Sequence, residues 1–282
     1  MLPGSPAKPG APFLRTHGAG RHEHGQNFLT DRRVIASFVD LVSRTDGPIL
    51  EFGAGDGALT LPLERLGRPL TAVEIDRRHA FRLKRLAASA TEVVRGDFLR
   101  YRLPDGPCVL VGNLPFHLTT SVLRRILHAD GWTSAVLLVQ WEVARRRAAV
   151  GGATLMTAQW WPWYEFSLVQ RVPAAAFTPR PDVDGGLMTI DRRDRPLVRI
   201  EQRASYQAFV HRVFTGKGRG LRQILTRAVP AATRSEIIQW LDGRPHLATA
   251  LPRDLTADQW AELHALITSR PFRSRRVPLH DD

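Results

Sequence analysis

A short turn after an apolar run contains the residues best suited to chemistry. Residues 108–111 are apolar and lead into Asn113, Leu114, Pro115 and Phe116. The Asn113 side-chain oxygen and the Leu114 backbone carbonyl can accept the two hydrogens of an exocyclic amino group. Pro115 restricts the turn, and the Phe116 ring can stack on a flat base. These four residues are the predicted catalytic set, suited to holding an adenine N6 while its nitrogen becomes tetrahedral during methyl transfer.

A glycine-rich turn upstream predicts a cofactor site. An apolar run that ends at Phe52 leads into Gly53, Gly55 and Gly57, and the next apolar run ends at Glu74. Glycines let the backbone turn tightly and approach a ligand, and an acid at the end of the second strand can accept both hydroxyls of a ribose. Enzymes that bind a pyrophosphate use the different spacing Gly-x-Gly-x-x-Gly. The spacing Gly-x-Gly-x-Gly favours S-adenosylmethionine (SAM), which has a ribose but no phosphate.

Two further segments are expected to complete the cofactor site. Asp97 follows the third predicted strand and can accept from an adenine amino group, and Phe98 can cover the adenine ring. Residues 24–29 precede the first predicted helix and are expected to fold over the methionine end of SAM. Taken alone, each segment fits an ordinary turn or connector equally well.

The target base and its RNA are expected to contact residues farther along the chain. An adenine inside a duplex cannot reach the Asn113 turn, so the target has to be unpaired or flipped outward. Phe177 opens a proline-rich loop and could form the wall opposite Phe116, although a place in the core fits nearly as well. Lys217 and Arg219 lie between glycines in a predicted connection between helices, where they could contact phosphates.

The composition favours a folded protein with a polyanionic partner. The 282 residues are 43% hydrophobic and carry a formal net charge of +13, and basic side chains gain affinity by displacing the counterions of phosphates. Cys108 is the only cysteine, which excludes an intrachain disulfide and a cysteine-based metal site. We see neither a metal-ligand cluster nor an apolar stretch long enough for a signal peptide or a membrane span. We therefore expect no metal, no membrane and a cytoplasmic location.

The order of apolar runs and helical patterns predicts an α/β fold. Strand-like runs alternate with helical spacing as in parallel βα units, and residues 164–172 and 185–191 are expected to form an antiparallel edge. Together with the cofactor signature, this order predicts a class I SAM-dependent methyltransferase. Such a fold has a Rossmann-like, mostly parallel seven-stranded sheet, here followed by a small C-terminal all-helical domain. Three tryptophans beside a predicted strand are expected to pack in the core: Trp160, Trp161 and Trp163.

The chain divides into four predicted regions. Residues 1–21 are expected to be a disordered basic arm, 22–192 the SAM-binding catalytic domain, 193–270 a helical RNA-binding domain, and 271–282 a tail. From Arg192 onward, seventeen Lys and Arg stand against nine Asp and Glu. This excess of positive charge is the reason for assigning RNA binding to the helical domain.

Together these motifs resemble the ribosomal RNA adenine N6-methyltransferase family, which includes the macrolide-resistance Erm enzymes and the housekeeping small-subunit dimethyladenosine transferases. The resemblance covers roughly residues 22–225 and rests on GQNFL, EFGAGDGALT, VEID, GDF, GNLPF and FTPRPDVD. The stretches QWEVARRRAAVGGATLMTAQWWPWYEF and FVHRVFTGKGRGLRQIL look like actinobacterial Erm proteins. The resemblance implies N6-methylation of one adenine in the peptidyl transferase region of 23S rRNA, which blocks the binding of macrolides, lincosamides and streptogramin B.

The resemblance also implies which residues contact SAM or border its methyl group: Asn27, Leu29, Gly53, Glu74, Asp97 and Asn113. Phe116 stands where Tyr is frequent in the family, so stacking is kept but a hydroxyl is lost. Phe52 stands where Ile is common, a change that the strand is expected to tolerate.

The expected partner is 23S rRNA, either protein-free or in a pre-ribosomal particle, and the chain is expected to act as a monomer. Three alternatives stay open. A housekeeping 16S rRNA adenine dimethyltransferase would perform the same chemistry on another RNA. A catalytically silent nucleic-acid-binding factor on the same scaffold would not need the hydrogen-bond geometry of the Asn113 turn. A small-molecule or protein methyltransferase would lack the steep salt dependence of an enzyme that contacts several phosphates.

Overall fold

The computed structural model describes residues 27–247 and 249–268. The predicted basic arm and the predicted C-terminal tail lie outside these residues, as does the beginning of the predicted catalytic domain, residues 22–26. Within the described part, a mixed sheet with connecting helices is followed by a helical region.

A mixed sheet forms the centre of the fold. The described strands are β1 (Phe28–Leu29), β2 (Ile49–Phe52), β3 (Leu70–Glu74), β4 (Thr91–Arg95), β5 (Cys108–Asn113), β6 (Trp132–Gln140), β7 (Tyr164–Val172), β8 (Phe177–Thr178) and β9 (Gly185–Arg192). Seven of them form one sheet in the order β4-β3-β2-β5-β6-β9-β7. The first five strands in this order run parallel, and β9 is antiparallel to both β6 and β7. The predicted α/β class, the mostly parallel seven-stranded sheet and its antiparallel edge are confirmed.

The central strands are mostly apolar because parallel strands are covered on both faces. Every residue of β2 is buried, as are the first five residues of β5. β2 pairs with both β3 and β5, and Phe52 at its end lies opposite Val73. The glycine turn, Glu74 and Asn113 therefore emerge together at the carboxyl edge of the sheet, where open α/β sheets bind their ligands.

Helices connect the strands and make up the region after β9. The described helices are α1 (Arg32–Ser43), α2 (Thr60–Leu63), α3 (Arg77–Leu86), α4 (Thr119–His128), α5 (Trp141–Arg147), α6 (Leu155–Trp160), α7 (Arg203–Phe214), α8 (Leu221–Ala228), α9 (Arg234–Asp242) and α10 (Ala257–Thr268). Asp31 caps α1 as its position before the first apolar turn predicts, because its Oδ1 accepts from the N–H groups of Arg33 and Val34 at 2.8 and 3.2 Å. Among these helices, none combines the length and the apolar composition that crossing a membrane requires.

The helical region and the sheet pack through a common hydrophobic cluster. Tyr206 of α7 lies edge-on to Trp163 with ring centroids 5.5 Å apart, and its hydroxyl donates to the Ala158 carbonyl at 2.9 Å. Trp160 and Trp163 are buried and Trp161 is partly buried against the same cluster, which confirms their predicted packing. Residues on both sides of the predicted domain boundary thus contribute to one core.

Two short strands form a second sheet that the sequence did not indicate. β1 pairs antiparallel with β8, so that Phe28 lies opposite Thr178 and Leu29 opposite Phe177. Strands of two residues are too short to show the alternation of apolar and polar residues by which a strand is predicted. The pairing holds the segment before α1 beside the loop that begins at Phe177.

Candidate active site

The glycine turn follows β2 and adopts a backbone conformation that favours glycine. Gly53 and Gly55 have φ angles of 68° and 54°, in the left-handed region. The Gly53 N–H donates to the Val73 carbonyl at 2.9 Å, which ties the turn to β3. A Cβ atom at Gly55 would lie 2.9 Å from Cε1 of Phe28. Glycine at position 55 therefore permits both the turn and the close approach of Phe28.

Glu74 is buried at the end of β3 and stabilises the glycine turn through a hydrogen bond. Its Oε2 accepts from the Gly55 N–H at 2.7 Å, and its Oε1 accepts from the Asp76 N–H at 2.8 Å. An ionised carboxylate offers about four acceptor positions, so both oxygens can still accept from ribose hydroxyls. The predicted ribose contact fits this geometry, and the bracing of the turn is a second role that sequence reasoning missed.

A cavity of about 110 Å³ lies between the glycine turn and the predicted catalytic set. Its lining brings together several residues predicted from the sequence: Gly53, Glu74, Asp97, Phe98, Leu114 and Pro115. It also includes residues that sequence reasoning missed, since neighbours of a motif give no pattern of their own: Ile75, Leu99, His117 and Leu118. A mostly apolar lining with two carboxylates suits a nucleoside, which combines a flat base with hydroxyl and amino donors.

Two stacked phenylalanines form part of the cavity lining. Phe52 and Phe98 have ring centroids 3.9 Å apart and an interplanar angle of 19°. A Cβ atom at Gly112 would lie 2.5 Å from Cε2 of Phe52, so the sheet accommodates Phe52 because residue 112 has no side chain. One face of Phe98 is covered by Phe52, which restricts the predicted stacking of Phe98 on an adenine to the rest of its ring.

We expect Gly112→Ala to lower the free energy of unfolding by about 1–3 kcal/mol, because the added methyl group overlaps the Phe52 ring. Denaturation by urea, followed by circular dichroism, measures this loss. Combining Gly112→Ala with Phe52→Ile should recover much of it, since isoleucine removes the ring atoms that overlap. An equal loss in the single and double variants would show that the two positions are not in contact.

Asn113 ends β5, and the segment before α1 orients its side chain. The Asn113 Nδ2 donates to the Asn27 backbone carbonyl at 2.8 Å, which leaves the amide oxygen to accept from another group. A cavity of about 30 Å³ lies next to this contact, and its lining includes Asn27, Phe28, Gly53, Gly55 and Asn113. The structure thus brings the segment predicted to cover the methionine end of SAM together with the glycine turn and the predicted catalytic asparagine.

Leu29 and Phe177 are predicted site residues whose side chains pack in the core. Leu29 packs in the core, so only its backbone can face a cofactor. Phe177 is 3% exposed and packs in the same cluster, which does not agree with a free wall opposite Phe116. Its ring instead lies edge-on to the partly exposed Phe116, with centroids 6.2 Å apart and an angle of 76°. Phe177 therefore supports Phe116 from the core.

Lys217 and Arg219 lie in the connection between α7 and α8, and both are exposed. The Lys217 carbonyl accepts from Arg227 Nη1 at 2.9 Å, and the Arg219 N–H donates to Gln223 Oε1 at 2.7 Å. These bonds hold the backbone of the loop while its two cationic side chains face solvent. Neither residue lines the two cavities, so a contact with RNA would be made away from the Asn113 turn.

Glu51 is a buried acid on β2 that sequence reasoning missed, because a single carboxylate within a strand does not reveal its burial. Burial raises the pKa of Glu51 to about 8. The Thr60 hydroxyl donates to Glu51 Oε2 at 2.6 Å and lowers the pKa, whereas the nearby Glu74 raises it further. A protonated Glu51 adds no negative charge of its own beside Glu74.

The folded protein holds the Glu51 proton more tightly than an unfolded chain would. Its stability should therefore fall as the pH rises from the ordinary pKa of 4.5 toward 8. Glu51→Gln removes this titration, and we expect the variant to have a higher Tm than the wild type at about pH 9, with the difference shrinking toward about pH 5. A difference in Tm that does not change with pH would contradict the raised pKa.

Known proteins with similar sequences establish the family. The family model described as ribosomal RNA adenine dimethylase matches residues 18–261. The chain is 57% identical over 215 residues to an rRNA adenine N-6-methyltransferase of Corynebacterium diphtheriae, covering 76% of this chain and 85% of the relative. It is 49% identical over 261 residues to the mycinamicin-resistance protein MyrB of Micromonospora griseorubida, covering 91% and 83%.

A solved structure supports the same relationship. The crystal structure of the 23S rRNA methyltransferase ErmE matches with a TM-score of 0.78 at 32% identity, covering 86% of this chain and 99% of the ErmE chain. The resemblance stated from the motifs is confirmed. The motifs, the sheet and these relatives agree, and the chain belongs to the ribosomal RNA adenine dimethylase family.

Proposed function

We propose that this protein transfers a methyl group from SAM to N6 of one adenine in the peptidyl transferase region of 23S rRNA, and thereby confers resistance to macrolides, lincosamides and streptogramin B. The observation that carries the proposal is the orientation of the Asn113 amide beside the glycine turn. Its Nδ2 donates to the Asn27 carbonyl at 2.8 Å, which fixes the direction of the amide oxygen. The relatives support the choice of RNA: MyrB is named for mycinamicin resistance and ErmE for 23S rRNA methylation.

The residues at the carboxyl edge of the sheet fit SAM. Gly53 and Gly55 have the positive φ angles that bring a backbone close to a ligand, and Glu74 has acceptor capacity left for ribose hydroxyls. Asp97 borders the same cavity and can accept from an adenine amino group. When bound, SAM supplies a methyl group that its sulfonium has already activated.

The Asn113 turn can prepare the amino group of the substrate. Because Nδ2 is engaged by Asn27, Oδ1 is the atom that accepts one amino hydrogen, and the Leu114 carbonyl can accept the other. Two acceptors on one side draw both hydrogens out of the plane of the base, so the nitrogen lone pair turns away from the ring toward the methyl donor. Phe116, supported from the core by Phe177, can stack on the base and keep it from tilting.

The RNA has to present its adenine unpaired or flipped outward. We propose that the substrate is protein-free or pre-ribosomal 23S rRNA and that the enzyme acts as a monomer in the cytoplasm without a metal ion. The formal net charge of +13 supports an RNA partner. Residues 193–270 are the proposed RNA-binding domain, with the exposed Lys217 and Arg219 as phosphate contacts.

Labelled SAM, offered with either protein-free 23S or protein-free 16S rRNA, tests the proposal. We expect label in 23S rRNA alone, at a single adenine of the peptidyl transferase region when the labelled nucleotide is mapped. Label confined to 16S rRNA would identify the housekeeping small-subunit activity instead. Retention of RNA without labelling of either one would identify a silent binding factor.

A further inference from the structure

Phe28 contacts both the glycine turn and a histidine that belongs to neither the predicted cofactor site nor the catalytic set. A Cβ atom at Gly55 would lie 2.9 Å from Phe28 Cε1, so the ring rests on the turn itself. The ring centroids of Phe28 and His79 are 5.2 Å apart, with an interplanar angle of 48°. His79 is in the first turn of α3, so this aromatic contact joins the segment before α1 to a different part of the fold.

His79 is held in place by its backbone and by its side chain. The Nδ1 atom of its ring donates to Asp56 Oδ1 at 2.8 Å, and Arg82 Nη1 lies 3.5 Å from the same oxygen. The backbone N–H of His79 donates to Asp76 Oδ1 at 3.0 Å, which caps α3. Asp56 is part of the glycine turn, so the contacts run from the turn through α3 to Phe28. These side chains form the His79 clamp: Phe28, His79, Asp56 and Arg82.

The clamp restrains a segment that borders the place of methyl transfer. Asn27, next to Phe28, accepts from Asn113 Nδ2 through its carbonyl, and the cavity of about 30 Å³ lies between this segment and the glycine turn. That volume holds only about two or three water molecules, so a small shift of the segment changes the enclosed space by a large fraction. β1 restrains the Leu29 end through Phe177, and the clamp restrains the Asn27 end.

We propose that His79 is a positioning residue for cofactor capture: through Phe28 it holds residues 27 and 28 closed over the methionine end of SAM. The inference rests on the proposed SAM site at the glycine turn. His79 lines neither cavity and so acts through Phe28 rather than on the reacting atoms. Loss of its ring should weaken binding of the cofactor and leave the chemical step unchanged once SAM is saturating.

Calorimetric titration of the full chain with S-adenosylhomocysteine tests the proposal without relying on turnover. His79→Ala is expected to raise the Kd about five- to tenfold, and Phe28→Ala at least as much, because each removes one ring of an aromatic pair. His79→Phe keeps a ring against Phe28 and should recover most of the affinity. Phe81→Ala is the matched control, since Phe81 lies on the same helix but is 67% exposed, and its Kd should equal that of the wild type.

Steady-state kinetics separate positioning from a general loss of structure. For His79→Ala we expect a higher KM for SAM, with kcat at saturating SAM and the KM for RNA both unchanged. The Tm of this variant should stay close to that of the wild type.

Two results would overturn the clamp. One is wild-type affinity in His79→Ala, and the other is a folded His79→Phe variant, with an unchanged Tm, that binds as weakly as His79→Ala. Failure of the wild-type protein to bind S-adenosylhomocysteine at all would overturn the proposed cofactor site and the clamp together. That outcome differs from a failure of the clamp alone, in which the wild type binds and His79→Ala binds equally well.

Discussion

Asn113→Ala is expected to slow methyl transfer by about a hundred- to a thousandfold, the effect of losing one preorganised hydrogen-bond partner at a reacting group. In the proposed mechanism the amide oxygen accepts an amino hydrogen of the base, and alanine leaves the Leu114 carbonyl as the remaining acceptor. Binding of RNA should change little. A single-turnover assay with labelled SAM and preformed protein–RNA complex measures the chemical step.

Asn27→Ala is the informative companion of this variant. It keeps the backbone carbonyl to which Asn113 Nδ2 donates, so the orientation of Asn113 should persist and single-turnover rates at saturating SAM should fall far less. Unchanged transfer in Asn113→Ala would remove this residue from the mechanism. Equal loss in both variants would show that the segment before α1, rather than the amide oxygen, is responsible.

Glu74→Gln should weaken binding of S-adenosylhomocysteine by about ten- to a hundredfold, as expected when charge-assisted hydrogen bonds of a buried group are lost. In the wild type both carboxylate oxygens accept from backbone N–H groups, those of Gly55 and Asp76. Glutamine has one oxygen, so its amide nitrogen has to face one of these two donors. The glycine turn then loses a hydrogen bond and the proposed ribose contact loses an acceptor. Calorimetric titration measures the combined effect.

Glu92→Gln provides the control for this substitution. Glu92 lies on β4, and its Oε2 accepts from the Thr71 hydroxyl at 3.3 Å in an exposed contact that does not involve the glycine turn. The same change of charge and shape at this position should leave cofactor affinity unaltered. Equal losses at positions 74 and 92 would point to an effect of net charge and would contradict a specific role of Glu74.

The parts of the site that could be predicted are those where a motif coincides with the end of a strand. Glu74 and Asn113 each end an apolar run, and the carboxyl ends of parallel strands meet at one edge, so their proximity followed from the order of the runs. The antiparallel edge was predictable for a similar reason, since two runs of strand length follow the last βα unit. The family followed from the spacing of the motifs, and the comparisons confirm it.

Features that depend on packing between distant parts of the chain could not be predicted in the same way. Phe177 is apolar whether it forms a wall or belongs to the core, and only its neighbours decide between the two. The pKa of Glu51 is raised because the surrounding core leaves its carboxyl group little solvation, and the hydrogen bond from Thr60 does not offset this. The contact of His79 with Asp56 joins α3 to the glycine turn, and no local sequence pattern indicates that these two parts of the chain lie close together.

The short pairing of β1 with β8 also determines when the active site can be assembled. The Thr30 hydroxyl donates to the Ala176 carbonyl at 3.1 Å, a contact between residues 146 positions apart in the chain. Contacts between residues so far apart in sequence form more slowly than local contacts. A nascent chain that ends before Phe177 lacks the partner of β1, so the proposed cofactor site cannot be completed until that part has been synthesised, however complete the glycine turn already is.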